Sequence, residues 1–401
     1  MCGIAGWLDR YTDLSQKQQV INSMSATMKS RGPDQEGVFL SSDNTVCLMH
    51  RRLTVIDPQG GAQPMTKEDK HRKCTLVYNG ELYNTKELTE QLTQAGYSFD
   101  THSDTEALLT AYLHWGEDCV DKLNGIFAFA IYEHTTGKLF IARDRIGVKP
   151  FFYYYYKGGL VFGSEIKALL RCPKVRPVVD EQGLMDVFFI GPGRSLGQGI
   201  FKNVEELLPG ECASYKDGVL KKRKYFKLVA KPHIHSKDET IEYTRFLLKD
   251  AITRQLVSDV PLCTFLSGGL DSSIISAVSA DYYRKNGKGI LTTYSVDYKD
   301  NEKYFKKSLF QPNSDSDFIK LISDFAGTNH KNVILDNHSL YYALYDSVKA
   351  RDLPAMTDVD SSLLLFCKEV KKDFTVALSG ECADELFGGY PWYHNKDILF
   401  E

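Results

Sequence analysis

The sequence of 401 residues has no excess of basic charge, because 49 lysines and arginines stand against 52 aspartates and glutamates and give a net charge of −3. A protein that binds nucleic acid through its phosphates needs a basic surface, so the composition excludes that class. The one basic run, 221–224, is four residues long and is interpreted as the solvated end of a strand.

Long apolar runs are also missing. The longest, 126–132, has seven residues, whereas a membrane-spanning helix needs about 20. The N-terminal residues lack the basic start and the long apolar core of a signal peptide. We therefore expect neither a membrane segment nor secretion.

Cysteine pairs at short spacing are absent as well. None of the nine cysteines lies in a Cys-x-x-Cys pattern, and the nearest two, Cys367 and Cys382, are 15 residues apart. This spacing excludes common zinc and thioredoxin-like motifs and argues against a disulfide scaffold. Reduced thiols without a signal peptide favour a cytoplasmic protein.

The pattern of apolar residues divides the chain into two halves. Residues 1–225 contain short apolar runs interrupted by a few helical segments, which predicts an α+β domain with sheets packed against helices. A polar linker, 226–237, follows. Residues 238–401 alternate strands with helices, which predicts an α/β domain with a parallel sheet. Ligands bind at the carboxyl ends of the strands in such sheets.

The first chemical signal is Cys2, which becomes the N-terminal residue if Met1 is removed. The α-amine of such a cysteine has an ordinary pKa of about 7.7–8.0 and can act as the base that activates the thiol. A cysteine at this position is weak support by itself. The motifs that accompany it decide the interpretation.

Seven motifs in the first half follow one another in the order of a known family. They lie at residues 2–6, 31–34, 50–57, 78–84, 103–106, 125–130 and 142–150. Together they resemble the class II glutamine amidotransferase domain of the glutamine-dependent asparagine synthetases. The resemblance covers the whole first half and implies an N-terminal-nucleophile fold, an αββα sandwich.

The resemblance also implies roles for individual residues. Cys2 would be the nucleophile that attacks the side-chain amide of glutamine. The side chain of Asn79 and the backbone N–H of Gly80 would form the oxyanion hole that such a reaction needs. The residues that would bind glutamine itself are Arg52, Asn79, Glu81 and Asp104. A cation for the α-carboxylate and acids for the α-ammonium suit an amino-acid substrate.

Four of these residues also have ordinary structural interpretations. Asn79-Gly80 is a common sequence of a type I′ hairpin turn. Asp104 would also stabilise the first turn of a helix, and Arg52 would also suit a surface. The sequence leaves these alternatives open.

The second signal is the segment 267–273, Ser-Gly-Gly-Leu-Asp-Ser-Ser, which follows an apolar strand and opens a helix. Its glycines allow the backbone to approach a ligand, and its serines and the helix N-terminus offer donors to phosphate oxygens. It is not a Walker A loop, because no lysine follows. It resembles the pyrophosphate-binding loop of the ATP pyrophosphatases, and the alternative is an ordinary turn rich in glycine and serine.

The third signal is the acidic segment 379–390, which follows another strand. Acids near phosphates need a divalent cation between them, and the resemblance places Mg²⁺ at Asp271 and Asp384. Glu381 would be the base for the attacking ammonia. The residues that would contact ATP are Leu266, Ser267, Gly268, Gly269, Asp271, Ser272, Val296, Ser379 and Gly380. Cys382 replaces a glycine that is commoner in the family, and we expect a small buried thiol without a catalytic role.

The predicted function is the ATP-dependent conversion of aspartate to asparagine with glutamine as the nitrogen donor. The first site would hydrolyse glutamine, and the second would form β-aspartyl-AMP and pyrophosphate before ammonia displaces AMP. ATP and Mg²⁺ are the expected cofactors, glutamine and aspartate are the other small-molecule partners, and family members often pair as homodimers. The family runs further than residue 401, so we also expect this chain alone to hydrolyse glutamine but to form little asparagine.

Two alternatives stay open. An amidotransferase of the same family that acts on another carboxylate would carry the same glutaminase and ATP motifs. A glutaminase that uses the ATP loop as a nucleotide sensor would not need Asp271, Glu381 and Asp384, whose presence argues against it.

Overall fold

The computed structural model describes residues 1–306, 315–354 and 356–399. The chain divides into two compact units, which are Met1–Pro232 with Val348–Met356 and His233–Ser347 with Thr357–Glu401. Residues 400 and 401, at the end of the predicted second domain, lie outside the described residues. All nine cysteines are free thiols. Among the described residues, no helix has the length and apolar character needed to cross a membrane.

The first unit contains two six-stranded antiparallel sheets. Its strands are β1 (Gly3–Asp9), β2 (Gln35–Leu40), β3 (Val46–Arg52), β4 (Met65–Glu68), β5 (Lys73–Leu82), β6 (Gly125–Glu133), β7 (Lys138–Arg143), β8 (Phe152–Tyr156), β9 (Gly159–Gly163), β10 (Val204–Glu206), β11 (Glu211–Lys216) and β12 (Val219–Lys224). Its helices are α1 (Gln18–Thr27), α2 (Thr85–Gln94), α3 (Asp104–Trp115), α4 (Ile166–Leu169) and α5 (Glu181–Met185). The strand order is β10-β8-β9-β1-β3-β2 in the first sheet and β12-β11-β7-β6-β5-β4 in the second.

Three apolar cores arrange the first unit in four layers. One core lies between the sheets and joins β1 and β3 to β5, β6 and β7. The second lies between α1, α4 and the outer face of the first sheet, and the third lies between α2, α3 and the outer face of the second sheet. The layers therefore follow the order helix, sheet, sheet, helix, which confirms the predicted αββα sandwich.

The apolar run in β6 explains why this strand is covered on both sides. Phe127, Phe129 and Ile131 belong to the core under the helices, and Ala128 and Ala130 belong to the core between the sheets. Because side chains alternate between the faces of a strand, a strand that is apolar at every position must be buried on both faces. Burial of each large side chain contributes about 1.5–3 kcal/mol.

The second unit is built on a four-stranded parallel sheet. Its strands are β13 (Leu262–Phe265), β14 (Thr292–Tyr298), β15 (Asn329–Leu335) and β16 (Val376–Leu378), in the order β15-β14-β13-β16. Its helices are α6 (Lys237–Arg254), α7 (Leu270–Lys285), α8 (Asn301–Tyr304), α9 (Ser316–Ala326), α10 (Asn337–Arg351), α11 (Thr357–Val370), α12 (Ala383–Phe387) and α13 (Lys396–Leu399). The predicted parallel α/β architecture is confirmed.

The pairing of β13 with β16 brings two distant motifs together. Thr264 is the register partner of Leu378, so the carboxyl ends of the two strands lie side by side. The segment 267–273 follows one strand and the segment 379–390 follows the other. The parallel sheet therefore places both predicted motifs at the edge where ligands bind.

Candidate functional site

Cys2 lies directly before β1, at the end where Gly3 pairs with Arg51 of β3. Its thiol donates to the carbonyl oxygen of Leu53 across 3.6 Å, and its own carbonyl accepts a hydrogen bond of 2.9 Å from Arg31 Nε. Burial raises the pKa of the Cys2 thiol. Because the thiolate is the nucleophilic form of cysteine, this thiol needs a base beside it.

Arg52 is buried at the end of β3, with 4% of its surface exposed, so its interpretation as a surface charge is wrong. Its two terminal nitrogens donate hydrogen bonds of 2.6–3.0 Å to the Gln35 side chain and to the carbonyls of Ile56, Asp57 and Pro58. The guanidinium therefore holds the loop after β3 in place. Its charge also acts on Cys2 and Asp104, so it lies within the cluster that the sequence predicted.

Asn79 and Gly80 lie inside β5, where they pair with Ala128 and Phe127 of β6, so their interpretation as a hairpin turn is wrong. Asn79 is 1% exposed, and its amide nitrogen has no hydrogen-bond partner among the described residues. A buried donor without a partner costs about 1–3 kcal/mol. A fold retains such a donor most readily where a ligand or a reacting group completes it.

The glycine at position 80 is required by the close approach of β6. A Cβ at Gly80 would lie 2.4 Å from the carbonyl oxygen of Ile126 and 2.8 Å from Phe127 Cα. Both contacts are to backbone atoms, which cannot move aside easily. Any side chain here would displace β5, and with it the neighbouring Asn79.

Asp104 is the first residue of α3 and is buried, as a first-turn acid usually is not. Its Oδ2 accepts hydrogen bonds from the Tyr78 hydroxyl at 2.9 Å and from the Leu82 amide at 3.2 Å. Burial raises the pKa of Asp104, and burial together with the Asp104 charge raises the pKa of Glu81. A buried carboxylate and a half-buried one near a thiol are suited to bind the ammonium group of an amino acid.

Lys149 belongs to the same cluster, although it was not among the predicted site residues. Its Nζ lies 3.1 Å from Met1 Sδ, and its charge acts on Glu81 and Cys2. Burial lowers the pKa of Lys149. The residue is part of the motif at 142–150, but nothing in the motif itself indicates that its side chain reaches the N-terminus.

His50 of β3 contacts the strand that carries Asn79. Its Nε2 lies 3.1 Å from the carbonyl oxygen of Tyr78 in β5, and burial lowers the pKa of the ring to about 3. The ring is therefore neutral at ordinary pH, with Nε2 as the donor and with Nδ1 unpaired among the described residues. This bond ties the first sheet to the strand that carries Asn79.

The second candidate site is a cavity of about 970 Å³ within the second unit. Of the residues predicted to bind ATP, those that line it are Leu266, Ser267, Gly269, Asp271, Ser272, Val296, Ser379 and Gly380. Glu381 and Asp384 line it too. Gly268 does not belong to the lining residues; its φ of +80° is a conformation that favours glycine, so it shapes the loop.

Hydrogen bonds between serines fix the loop before α7. Ser272 Oγ accepts from the Ser267 amide at 3.1 Å and lies 3.0 Å from Ser267 Oγ. The hydroxyl of Ser273 donates to the carbonyl of Gly269 at 2.6 Å. The loop therefore keeps a defined shape at the start of α7, where backbone donors suit an anion.

The third motif packs directly on this loop. A Cβ at Gly380 would lie 3.1 Å from Asp271 Cβ and 3.1 Å from the Ser272 amide nitrogen. The glycine thus allows the segment after β16 to touch the first turn of α7. Asp271 and Asp384 consequently face one cavity, although the chain separates them by more than a hundred residues.

The charge of the cavity is strongly negative. The carboxylates that line it are Asp271, Asp297, Asp315, Asp324, Glu381, Asp384 and Glu385, and the lysine among the described lining residues is Lys320. Repulsion by these acids would oppose the phosphates of ATP unless a divalent cation lay between them. Mg²⁺ is commonly held by one or two carboxylates together with substrate phosphates, so Asp271 and Asp384 fit it. No site with three metal-ligating side chains was found among the described residues.

Polar side chains lie along the strands of this cavity, and sequence reasoning missed His330 and Asn332 among them. Ser295 Oγ contacts His330 Nε2 at 3.0 Å and donates to Asn332 Oδ1 at 3.1 Å, and His330 Nδ1 contacts Thr293 Oγ1 at 2.9 Å. Burial lowers the pKa of His330. Alternating polar residues on β14 and β15 are the signal that could have indicated this polar wall.

Cys382 differs from the expected buried thiol. It is exposed and has a φ of +70° at the start of α12. A left-handed conformation disfavours any residue with a Cβ. This explains why glycine is the commoner residue at this position in the family that the sequence resembles.

Comparison with known proteins agrees with the families that the two halves of the sequence resemble. The glutamine amidotransferase domain family matches residues 1–226, and the asparagine synthase family matches residues 244–400. Glutamine-hydrolysing asparagine synthetases 3 and 1 of Bacillus subtilis (strain 168) are 49% and 33% identical over 99% and 98% of this chain, and the chain spans 64% and 59% of their lengths. A relative from Methanocaldococcus jannaschii is 31% identical over 98% of this chain and 76% of its own length. The chain therefore belongs to the family of glutamine-hydrolysing asparagine synthetases.

Proposed function

We propose that the first unit hydrolyses glutamine to glutamate and ammonia. The observation that carries this proposal is the buried, unpaired amide nitrogen of Asn79, which would donate to the oxyanion as Cys2 attacks. The α-amine of Cys2, free after removal of Met1, would take the thiol proton and pass it to the leaving nitrogen. Ammonia then departs, and water hydrolyses the thioester to glutamate.

The remaining groups of this site would bind the amino-acid part of glutamine. Arg52 is the proposed partner of the α-carboxylate, and Glu81 and Asp104 are the proposed partners of the α-ammonium. The backbone N–H of Gly80 is the second proposed oxyanion donor. The burial of Arg52 and Asp104 supports these roles, because opposite charges attract more strongly away from water.

We further propose that the second unit activates aspartate with ATP. The cavity supplies Asp271 and Asp384 to hold Mg²⁺, which would neutralise the phosphates while the aspartate carboxylate displaces pyrophosphate. Glu381, on the wall of the same cavity, would accept a proton from ammonia as ammonia displaces AMP. The products are asparagine, AMP and pyrophosphate. The names of the relatives and the acidic lining of the cavity support this proposal.

Three further expectations belong to this proposal. The functional domains would be 1–225 and 238–401, joined by a linker at 226–237, close to the limits of the two family matches. The protein would act in the cytoplasm. Two copies would form a homodimer, which sedimentation equilibrium at micromolar concentration would detect.

The test measures glutamate, pyrophosphate and asparagine separately with the purified protein. Glutamate formation that requires Cys2 is expected with glutamine alone, and pyrophosphate formation is expected only with aspartate and MgATP. A set of other carboxylates in place of aspartate identifies the acceptor. The absence of glutamate formation would refute the first part, and pyrophosphate formation with another carboxylate but not with aspartate would refute the second.

A further inference from the structure

Lys149 is a buried cation for which the proposed glutaminase mechanism has no role. Its Nζ contacts Met1 Sδ at 3.1 Å, and the residue is 6% exposed. Since Met1 directly precedes Cys2, the ammonium lies at most roughly 9 Å from the nitrogen that becomes the α-amine of Cys2, which is the span of one side chain plus the contact. The cation is thus close to the proposed base.

Buried hydrogen bonds fix the backbone of Lys149 on both sides. Its amide donates to Asp144 Oδ2 at 3.0 Å, and its carbonyl accepts from Arg143 Nε at 2.7 Å. Arg143 also donates to the carbonyls of Gly147 and Leu207 at 2.7 and 2.6 Å. The loop after β7 therefore presents the ammonium from a rigid position.

The charges around this ammonium come from several elements. Those that act on it are Glu81 on β5, Arg31 after α1, Asp144 in its own loop and Cys2 before β1. Asp104 and Arg52 act on Cys2, and the N-terminal amine acts on Glu81. The carboxylates of Glu81 and Asp104 favour a protonated α-amine, which cannot accept a proton, and Lys149 opposes them.

We propose that Lys149 is a positioning residue whose charge keeps the α-amine of Cys2 neutral, so that the amine can take the thiol proton. This inference rests on the proposed glutaminase function. A nearby cation disfavours the protonated amine, so removal of the cation favours protonation. The acid limb of kcat/KM for glutamine hydrolysis should then move to higher pH by about 0.3–1.4 units in Lys149→Met, according to the Coulomb energy at this separation.

The experiment compares the pH profiles of wild type, Lys149→Met, Lys149→Gln and Lys149→Arg. Both neutral variants should show the shifted acid limb and should reach the wild-type rate at high pH, whereas Lys149→Arg should keep the wild-type profile. If Lys149→Met does not fold, Lys149→Gln carries the test. An unshifted limb, or an equal loss of rate at every pH, would overturn the inference, because a purely structural role lowers the rate uniformly.

A second measurement does not depend on turnover. The rate of alkylation of Cys2 by iodoacetamide is followed against pH by mass spectrometry of the N-terminal peptide, which also reports whether Met1 has been removed. The neutral variants should shift this profile to higher pH as well. A shift in a protein that does not hydrolyse glutamine would refute the proposed function but support the charge effect, and active protein without either shift would refute the inference alone.

Discussion

The first unit buries three charged residues of its candidate site, whereas the charged residues of the candidate site in the second unit are in contact with solvent. Arg52, Asp104 and Lys149 are 4–6% exposed. Asp271 and Asp384 are half-buried and Glu381 is exposed, on the wall of an open cavity. The same chain thus combines a buried candidate site with a solvent-exposed one.

This difference fits the chemistry proposed for each site. Breaking an amide requires proton transfers between groups whose pKa values are set by neighbouring charges and hydrogen bonds. Burial strengthens the effect of those neighbours on the pKa values. A nucleotide must enter and leave with its counter-ion, which an open acidic cavity allows. We therefore expect substitutions in the first site to cause severe losses of glutamine hydrolysis alone. Substitutions in the second site should cause losses of activity that a higher Mg²⁺ concentration partly restores.

The largest effect is expected for Cys2→Ala. Without the nucleophile, glutamate formation should fall by at least about 10³-fold, while pyrophosphate formation with added ammonium salts should continue. The matched control is Cys367→Ala, which removes an exposed thiol of the second unit and should leave glutamate formation unchanged. Continued glutamate formation by Cys2→Ala would show that another group attacks the amide.

The next effect concerns the unpaired amide of Asn79. Asn79→Ala should lower kcat for glutamine hydrolysis by about 10²–10³-fold, the usual cost of one oxyanion donor. Because this nitrogen has no partner in the described protein, its loss should change the thermal midpoint by no more than about 2–4 °C. Asn79→Asp, which keeps the shape but not the donor, should be equally inactive. A stability loss proportional to the activity loss would indicate a packing role instead.

A moderate and reversible effect is expected in the second unit. Asp271→Asn or Asp384→Asn should raise the Mg²⁺ concentration needed for half-maximal pyrophosphate formation by about 10-fold or more, since each removes one anionic ligand. Glutamine hydrolysis should be unchanged. Asp281→Asn is the control, because Asp281 lies on the same helix, α7, and pairs with Arg284 and Lys285. An unaltered Mg²⁺ requirement in both variants would refute the metal assignment.

The smallest effect concerns the buried ring of His50. The folded pKa of about 3 lies below the ordinary value of 6.5, so between these values the unfolded chain binds a proton that the folded chain excludes. The free energy of unfolding should therefore fall as pH drops below 6.5, by up to about 1.4 kcal/mol per pH unit from this group. Urea unfolding should show a flatter pH dependence for His50→Gln than for wild type. His71→Gln, at an exposed position, should leave the slope unchanged.

The sequence was sufficient for features that depend on local pattern. Alternation of strands and helices predicted the parallel sheet, and the uninterrupted apolar run in β6 belongs to a strand that is covered on both faces. The motifs also identified Cys2, Arg52 and Asp104, whose charges act on one another in the structure. The order of the motifs, which matches that of one family, thus predicted which residues belong to one cluster. It did not predict the contacts that each side chain makes.

Features that depend on contacts between distant segments could not be predicted. The loop contacts of Arg52, the reach of Lys149 to Met1, and the polar wall at His330 all join side chains far apart in the chain. Cys382 was misjudged because a left-handed backbone is set by the turn between β16 and α12 and not by the residue type. Such details follow from the fold, so they become visible only after it is known.

The pairing of β13 with β16 has a consequence for biosynthesis. All twelve strands described in the first unit lie before residue 225. Its sandwich can therefore begin to fold while the second half of the chain is being translated. The proposed nucleotide cavity needs Leu378 beside Thr264, and at about 5–20 residues per second the ribosome takes roughly 5–25 s to pass between them. During that interval β13 has an unpaired edge, which exposes it to misassociation. A nascent chain should therefore acquire resistance to proteases in its first half well before it can bind a nucleotide.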